Sequence, residues 1–250
     1  MTSVVSALGL EAPPGLVSIV GGGGKSSLLF ALGRELPGRV VMTTTTRIFA
    51  AQMDRAPQAC TLADPEWRRR LESFEESLLV VGAAEGERAV GVPTELPGQL
   101  LEHPRVDWVV VEADGSRMRP VKAPGDHEPV VPVETSLLVA VAGIDALAAP
   151  IAEVAHRPER VCEITGLAPE QALPPESLAA LLTSRDGGLK GAPPGARAVV
   201  LINKVELAQQ REAARRVARC ALREPRLDRV LIGALQPRGS SWQAWEIVQR

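Results

Sequence analysis

The sequence VSIVGGGGKSS, residues 17–27, decides the fold because it joins an apolar segment to a glycine run and then to a helical pattern. Residues 16–20 form a short, mainly apolar segment that is rich in branched side chains, as in a buried strand. After the glycines, residues 25–36 place leucines at the spacing of an amphipathic helix. The stretch therefore predicts a strand, a loop and a helix in direct succession.

The remainder of the chain continues this alternation. Apolar runs that predict strands lie at residues 39–42, 78–81, 108–111, 137–141, 198–202 and 230–232, and helical patterns lie at residues 64–76, 177–183 and 206–222. Asp64 is expected to cap the first of these helices. Because the strands are continuously apolar, both faces of the sheet are expected to be covered. We predict an α/β fold of three layers, a mostly parallel sheet with helices on both faces as in P-loop NTPases, formed as a single domain by residues 1–250.

The glycine loop has the composition of a phosphate-binding loop. Its candidate nucleotide-binding residues are Gly21, Gly22, Gly23, Gly24, Lys25, Ser26 and Ser27. Backbone amides would face phosphate oxygens, Lys25 would bridge phosphates as a catalytic cation, and Ser26 would ligate Mg²⁺. Ile19 stands where the G-x-x-x-x-G-K-[ST] pattern has its first glycine, so the spacing is closer to that of Mur ligases. The loop predicts Mg²⁺ with ATP or GTP; a glycine-rich turn without a ligand is the alternative.

Two acids follow the apolar strand in DWVVVEADGS, residues 107–116. Glu112 and Asp114 are predicted at the carboxyl end of this strand, where ligands of open α/β sheets bind. Either acid could hold Mg²⁺ or orient a water, so both are candidate metal ligands and catalytic residues. If Gly115 begins a turn, only one of them reaches the metal. The alternative is a pair of solvated turn acids.

The segment AVVLINKVE, residues 198–206, ends another predicted strand with Asn203, Lys204 and Glu206. Asn-Lys-x-Asp at such a position reads guanine in GTPases, where the lysine stem covers the base. These three residues are therefore candidate nucleotide-binding residues. Glutamate in place of aspartate weakens the case for guanine, and a strand-to-helix junction capped by Asn203 is the alternative.

Two further segments carry candidate site residues. Thr45, Thr46 and Arg47 end a hydroxyl-rich run that suits contact with a phosphate or a second substrate, although threonines also favour strands. Residues 116–132 are basic, rich in proline and without periodicity, and are predicted to form a long functional loop. Convergent polar groups in this loop are Lys122, Asp126, His127 and Glu128, of which His127 is the candidate acid or base. His156 with Arg157, and residues 188–190, are weaker candidates.

Composition excludes several classes of protein. A formal net charge of -2 and a pI near 6.0 argue against a nucleic-acid partner. No apolar run is long enough for a membrane span or a signal peptide, so a cytoplasmic location without a membrane partner is expected. The three cysteines show no disulfide or zinc spacing, although Cys60 or Cys162 could act singly. Only four of the 28 basic residues are lysines, which suggests that a compact ammonium is preferred where they remain.

Taken together, IVGGGGKSSLLFALGREL, VMTTTTRIF, VVVEADGSRMRPVKAPGDHEPVVP, HRPE and LLTSRDGGLKGAPPGARAVVLINKVE resemble the YqeC family of selenium-dependent hydroxylase accessory proteins. The resemblance covers residues 16–232 in order. It implies a P-loop protein that acts in maturation of selenium-dependent molybdenum hydroxylases or their molybdenum cofactor, with such enzymes as partners. The functional positions that the resemblance implies are residues 21–27, 43–47, 112–117, Lys122, His127, Glu128 and residues 203–206.

Three functions are compatible with these patterns. The first is a nucleotide-hydrolysing accessory protein whose slow cycle helps modify or hand over a molybdenum cofactor, with no arginine finger evident in the sequence. The second is an ATP-dependent ligase or kinase for a small anionic substrate. The third is a binding module that holds a phosphate-bearing cofactor without catalysis. We expect the first.

Overall fold

The structure is a computed structural model that describes residues 3–10, 12–235 and 245–250. The helices are α1 (Val4–Leu8), α2 (Lys25–Glu35), α3 (Trp67–Ser73), α4 (Leu96–Leu101), α5 (Ile151–Val154), α6 (Pro158–Thr165), α7 (Pro175–Thr183) and α8 (Ala208–Ala221). The strands are β1 (Gly15–Gly21), β2 (Val40–Thr44), β3 (Ile48–Phe49), β4 (Gln58–Thr61), β5 (Ser77–Val81), β6 (Ala83–Glu85), β7 (Arg88–Val90), β8 (Trp108–Glu112), β9 (Val121–Lys122), β10 (Leu137–Gly143), β11 (Ala155–His156), β12 (Arg197–Asn203), β13 (Leu227–Ile232) and β14 (Glu246–Gln249). Short 3₁₀ helices span Ala50–Arg55 and Ile144–Leu147.

Within the described ranges, one sheet of nine strands has the order β14-β13-β12-β10-β1-β8-β2-β5-β4. Its strands pair in parallel, except that β14 runs antiparallel to β13 at the edge. Strands β3, β7 and β6 form a small antiparallel sheet, and β9 pairs in parallel with β11. The predicted fold class, a mostly parallel sheet in an α/β protein, is confirmed.

Side chains of the central strands enter two apolar cores on opposite faces of the sheet. In β1, Leu16 and Val20 point into one core, while Val17 and Ile19 point into the other. Helices α1 and α2 cover the face of Val17, and helices α7 and α8 contribute to the core that contains Leu16. Burial on both faces explains why the strands are continuously apolar in the sequence.

The helix predicted at residues 64–76 is wrong at both ends. The pattern at residues 64–76 forms only the seven-residue helix Trp67–Ser73. Asp64 does not cap it; its carboxylate accepts a hydrogen bond from the amide of Glu66 at 2.9 Å, in the turn before the helix. An aspartate side chain that bonds its own backbone two residues on makes a local turn, which delays the helix.

The N-terminal helix α1 has no counterpart in the sequence predictions. Its N-cap residue Ser3 accepts a hydrogen bond from the amide of Ser6 at 3.1 Å, and Val4, Ala7 and Leu8 are buried against the core of α2. At five residues it is too short for periodicity to reveal. No helix in the described ranges is both long and apolar enough to cross a membrane.

Candidate functional site

The glycine loop lies between β1 and α2 at the carboxyl edge of the parallel sheet. Three of its amides hold the loop in place: that of Gly21 donates to Asp114 at 3.1 Å, that of Gly22 to the carbonyl of Val141 at 2.9 Å, and that of Gly23 to the carbonyl of Arg119 at 3.0 Å. The amides of residues 24–27 stand at the first turn of α2, where a helix supplies no internal acceptors. The part of the loop whose amides are not needed to hold it in place is therefore the helix N-terminus, where the helix dipole also favours negative charge.

Lys25 is buried between two acids. Its ammonium donates to the carbonyl of Gly21 at 2.9 Å and lies 3.4 Å from Asp114 Oδ1 and 3.6 Å from Glu112 Oε1. Burial alone would lower the pKa of Lys25, but the two carboxylates outweigh it and the pKa lies above its ordinary value. Lys25 is therefore a fixed positive charge beside the helix N-terminus.

A second buried lysine extends this charge network. Lys122 Nζ lies 3.1 Å from Asp114 Oδ2, donates to the carbonyl of Gly115 at 2.8 Å and pairs with Glu128. Glu128 also pairs with Arg157. Although burial opposes it, hydrogen bonds and attraction from Lys122 and Arg157 hold the pKa of Glu128 below its ordinary value. Positive and negative groups thus alternate from Glu112 to Arg157.

The two predicted acids have different positions. Ser26 Oγ donates to Glu112 Oε2 at 2.8 Å, and both residues line the cleft described below. Asp114 is 1 % exposed, and its carboxylate oxygens are engaged by the amide of Gly21 and by the two lysines. Burial raises the pKa of Glu112 although Lys25 and Ser26 oppose the shift. Of the two acids, Glu112 lines the cleft and Asp114 fixes the loop.

The threonine run mainly ties strand ends together. Thr43 Oγ1 donates to the carbonyl of Val80, Thr44 Oγ1 to that of Glu112, and Thr45 Oγ1 to that of Val130, at 2.7, 2.8 and 2.7 Å. Thr46 and Arg47 line the cleft, whereas Thr45 is not among the lining residues. The first three threonines therefore have a structural role, since their hydroxyls bond to backbone carbonyls of neighbouring segments.

Asn203 connects three segments at the other side of the glycine loop. Its side-chain amide donates to the carbonyl of Gly23 at 2.7 Å, and its side-chain oxygen accepts from the amide of Leu235 at 2.9 Å. Gly24 has φ 148°, and a side chain there would collide with Asn203. Lys204 Nζ pairs with Asp145 Oδ2 at 2.7 Å. Asn203 is thus a tether of the glycine loop at the edge of the cleft.

These groups border an open cleft of about 1230 Å³. The predicted site residues that line it are Gly23, Gly24, Lys25, Ser26, Ser27, Thr46, Arg47, Glu112, Gly115, Ser116, Arg117, Glu128, His156, Arg157, Asn203, Lys204 and Glu206. The structure does not bring Gly21, Gly22, Thr45, Asp114 or His127 to its lining. His127 is exposed in the long loop, outside the cleft, so its geometry does not support the predicted acid or base role.

His156 lines the cleft instead. Burial first, and then the neighbouring charges of Arg157 and Lys122, lower the pKa of His156 to about 4. The imidazole is therefore neutral near pH 7. His156 belongs to β11, which pairs with β9, the short strand inside the predicted loop, and it lies opposite Lys122 there.

The sequence predictions missed several lining residues, namely Phe49, Gln52, Arg88, Met118, Asp145, Leu207 and Gln210. Backbone strain marks Met118 in this group, together with three lining residues that the sequence predictions include. Among the described residues, the non-glycine residues with positive φ are Arg117, Met118, Arg157 and Lys204, at 48° to 64°, and all four line the cleft. Such conformations cost free energy and concentrate at functional sites, but no local sequence pattern identifies them.

Unsatisfied polar atoms mark the same cleft. In the described part of the chain, the buried side-chain atoms without a hydrogen-bond partner include Gln52 Oε1, Asp145 Oδ1 and Arg157 Nη1, which all belong to lining residues. Buried polar groups are normally satisfied, so exceptions grouped in one cleft indicate a place where a ligand completes the bonding.

The cysteines are separate from these groups. Cys60 is buried in the sheet, and burial raises the pKa of its thiol to about 11, which keeps it protonated near pH 7. Cys162 is partly exposed and its pKa is also raised, first by burial and then by nearby glutamates. Within the described ranges, no group of three or more His, Cys, Asp and Glu side chains could hold a metal ion.

Comparison with known proteins agrees with the motifs of this cleft. The family described as YqeC protein matches residues 17–159, which contain the glycine loop, Glu112, the segment from Gly115 to Glu128, and Arg157. The uncharacterized protein YqeC of Escherichia coli (strain K12) is 35% identical over 209 residues, which cover 81% of each chain. The match includes more than half of the chain and the greater part of the cleft. The chain therefore belongs to the YqeC protein family.

Proposed function

We propose that the cleft binds a nucleoside triphosphate with Mg²⁺ and that the protein hydrolyses it slowly. The observation that carries the proposal is the hydrogen bond of 2.8 Å between Ser26 and Glu112 at the N-terminus of α2, directly beside the buried Lys25. Mg²⁺ bound to a nucleotide is usually held by a hydroxyl, one or two carboxylates and waters, so this donor set fits the ion.

Each group has a distinct part in this proposal. The amides of residues 24–27 would hold phosphate oxygens, and Lys25 would add the positive charge. Ser26 and Glu112 would hold Mg²⁺, which supplies charge compensation for the phosphates when bound. The burial that raises the pKa of Glu112 also leaves its carboxylate short of solvating partners, which favours a cation there.

Lys122 lets Lys25 serve a phosphate without leaving a buried charge alone. If Lys25 turns from Asp114 toward a triphosphate, Asp114 keeps the ammonium of Lys122 at 3.1 Å and the amide of Gly21. An unpaired buried carboxylate would cost several kcal/mol, of the order found when one member of a buried pair is removed (~3–5 kcal/mol). The second lysine therefore supports motion of the first.

The nucleoside would lie on the side of Lys204 and Glu206. The stem of Lys204 could cover a base, as in the Asn-Lys-x-Asp motif, while Asn203 fixes the glycine loop beneath it. Asp145 Oδ1, a buried acceptor without a partner in the described chain, lies on the same side. A base that carries amine donors suits these acceptors, and both guanine and adenine have one.

The biological role that we propose follows from the family resemblance. Nucleotide binding and slow hydrolysis would drive a conformational cycle that assists maturation of selenium-dependent molybdenum hydroxylases or their molybdenum cofactor. Such enzymes would be the protein partners. Nucleotide binding without hydrolysis would instead favour a non-catalytic binding module.

Calorimetric titration with ATP, GTP and their diphosphates, with and without Mg²⁺, tests the proposal. The wild type should bind at least one triphosphate more tightly with Mg²⁺, and Ser26→Ala should lose that Mg²⁺-dependent gain because a metal ligand is absent. Ser73→Ala, an exposed serine on α3, is the matched control and should behave as wild type. If neither triphosphate binds, or if Ser26→Ala keeps the full Mg²⁺ effect, the proposal is wrong.

A further inference from the structure

We propose that the cleft contains a second subsite, beyond Glu112, for a small phosphate-bearing ligand held by arginines. We call the four side chains Arg47, Arg88, Arg117 and Arg157 the arginine subsite. The inference rests on the proposed function in one respect, since it assigns the other side of the cleft to the nucleotide. It adds the chemistry of a second ligand.

The order of strands separates the two sides. At the carboxyl edge, β12 with Asn203 and β10 lie on one side of β1 and its glycine loop, while β8 with Glu112 and β2 with Thr44 lie on the other. Adjacent strands are ~4.8 Å apart, so β12 and β2 each lie roughly 10 Å from the loop in opposite directions. A nucleotide that extends from the loop toward Lys204 leaves the side of β8 and β2 vacant.

Two walls of the cleft bring the arginines to that side. The first wall follows β2: Arg47 precedes β3, and Arg88 of β7 is paired opposite Phe49 in the small sheet. The second wall follows β8, and Arg117 lies in it five residues after Glu112. Arg157 pairs with Glu128, and two residues after Glu128 the amide of Val130 donates to the carbonyl of Ala113, next to the end of β8, at 3.0 Å. Thr46 Oγ1 lies within 4 Å of the position of a side-chain carbon at Gly115, so the walls approach each other there.

The arginines are only partly neutralised by the protein. Arg47 is 4.0 Å from Glu85, and both side chains are more than half exposed, so this pair is weak. Arg88 lies over the ring of Phe49 at 3.9 Å from its centroid. Arg117 has no hydrogen bond or ion pair with any described residue, and Arg157 shares Glu128 with Lys122. Among the described residues, three of the four guanidinium groups thus lack a strong acidic partner.

Strain and unsatisfied atoms mark this side of the cleft independently. Arg117, Met118 and Arg157 have φ of 48°, 62° and 62°, which L-residues adopt at a cost. Gln52 Oε1 and Arg157 Nη1 are buried without a partner in the described ranges. An anion between the walls would satisfy the nitrogen of Arg157, and a bound hydroxyl or amine would satisfy Gln52.

Phosphate is the ligand chemistry that these groups fit. Guanidinium forks bind phosphate oxygens in pairs, and several forks from two walls can share the oxygens of one dianion. Phe49 and Met118 are exposed at 37% and 81%, which provides apolar surface for the organic part of a phosphate ester. The cleft volume of about 1230 Å³ also exceeds the range of roughly 300–1,000 Å³ that is usual for one small ligand.

The test is calorimetric titration with inorganic pyrophosphate on protein saturated with a non-hydrolysable triphosphate analogue and excess Mg²⁺. Wild type should bind pyrophosphate without releasing the nucleotide. The double variant Arg88→Ala, Arg117→Ala should bind it about tenfold or more weakly, since charge-assisted hydrogen bonds are lost, while its nucleotide affinity changes less than about threefold. The Arg88→Lys, Arg117→Lys variant, which keeps charge without the fork, should be intermediate.

The control is Arg216→Ala, Arg219→Ala on α8, which removes two exposed arginines paired with Glu176 and Glu212 and should bind as wild type does. Displacement of the nucleotide by pyrophosphate, or full affinity in the Arg88→Ala, Arg117→Ala variant, would overturn the arginine subsite. If no nucleotide binds at all, the proposed function fails separately. In that case, pyrophosphate binding that survives Lys25→Ala but not Arg88→Ala, Arg117→Ala supports the subsite, and the reverse overturns it.

Discussion

Asp114 shows how one residue can stabilise a site without contacting a ligand. Its carboxylate accepts a hydrogen bond from the amide of Gly21 and lies between the ammonium groups of Lys25 and Lys122. The four lysines all make specific contacts: Lys190 donates to the carbonyl of Gly125 at 2.6 Å, and Lys204 to Asp145 at 2.7 Å. A compact ammonium fits the narrow, buried positions of Lys25 and Lys122, as the rarity of lysine suggests, whereas Lys204 is partly exposed.

Replacing Lys122 by methionine should destabilise the protein strongly. The side chain is 1% exposed, and its loss leaves Asp114 and Glu128 with one cation fewer in a buried network, for a cost of about 3–5 kcal/mol in the free energy of unfolding. Lys204→Met is the matched control, because Lys204 and Asp145 are both more than 40% exposed and their pair contributes about 1 kcal/mol or less. Urea unfolding followed by circular dichroism measures both, and equal losses would contradict the assigned role of Lys122.

At the scale of elements, the glycine loop is clamped by two other segments. Strand β10 accepts a hydrogen bond from the amide of Gly22, and the segment before β9 accepts one from the amide of Gly23. That segment is in turn bonded to the end of β10, because the carbonyl of Pro120 accepts from the amide of Gly143. The predicted loop of residues 116–132 is therefore partly regular, because it contains β9, and its backbone packs against Gly22 and Gly23. This contact gives the loop a structural part beside any functional one.

Gly22→Ala should show the clamp directly. A side-chain carbon at Gly22 would lie 2.7 Å from the carbonyl oxygen of Arg119 and 3.0 Å from the backbone of Pro120, neither of which can rotate away. We expect a loss of about 1–3 kcal/mol in the free energy of unfolding. Gly115→Ala is the control, because its nearest neighbour is Thr46 Oγ1 at 3.9 Å, and its stability should stay within about 0.5 kcal/mol of wild type. If the stability of Gly22→Ala is unchanged, the backbone of Arg119 and Pro120 can move away at no cost and the clamp is contradicted.

At the scale of the whole molecule, one sheet serves both cores. Consecutive residues of the same strand, such as Leu16 and Val17 or Val109 and Val110, pack on opposite faces. Neither core can lose its packing while the sheet remains intact for the other. We therefore expect one cooperative unit across the described ranges, and the single domain predicted from the sequence stays a prediction.

Chemical unfolding should accordingly give a single transition. Far-ultraviolet circular dichroism reports the helices and the sheet, whereas tryptophan fluorescence includes Trp108, which packs in the core of α1 and α2. We expect the two signals to change at the same denaturant concentration, as coincident probes do in a cooperative transition. Two separated transitions would show that parts of the chain fold as independent units.

Local patterns were sufficient for the fold class and for the position of the glycine loop between strand and helix. Mainly apolar runs predicted β1, β8 and β12 because burial on both faces leaves few polar positions, and the glycines and Lys25 marked the strand-to-helix junction. Strand polarity alone then placed Ser26 and Glu112 at one edge, since the carboxyl ends of parallel strands meet there.

The tertiary structure alone decided which neighbouring candidates face the cleft. Asp114 turns inward while Glu112 remains at the cleft, and His127 is exposed while His156 lines it. Arg88 reaches the site only through the pairing of β7 with β3, and Arg157 only through that of β11 with β9. Sequence periodicity reports which side of its own element a residue occupies, whereas these positions depend on contacts between segments far apart in the chain, which no local pattern encodes.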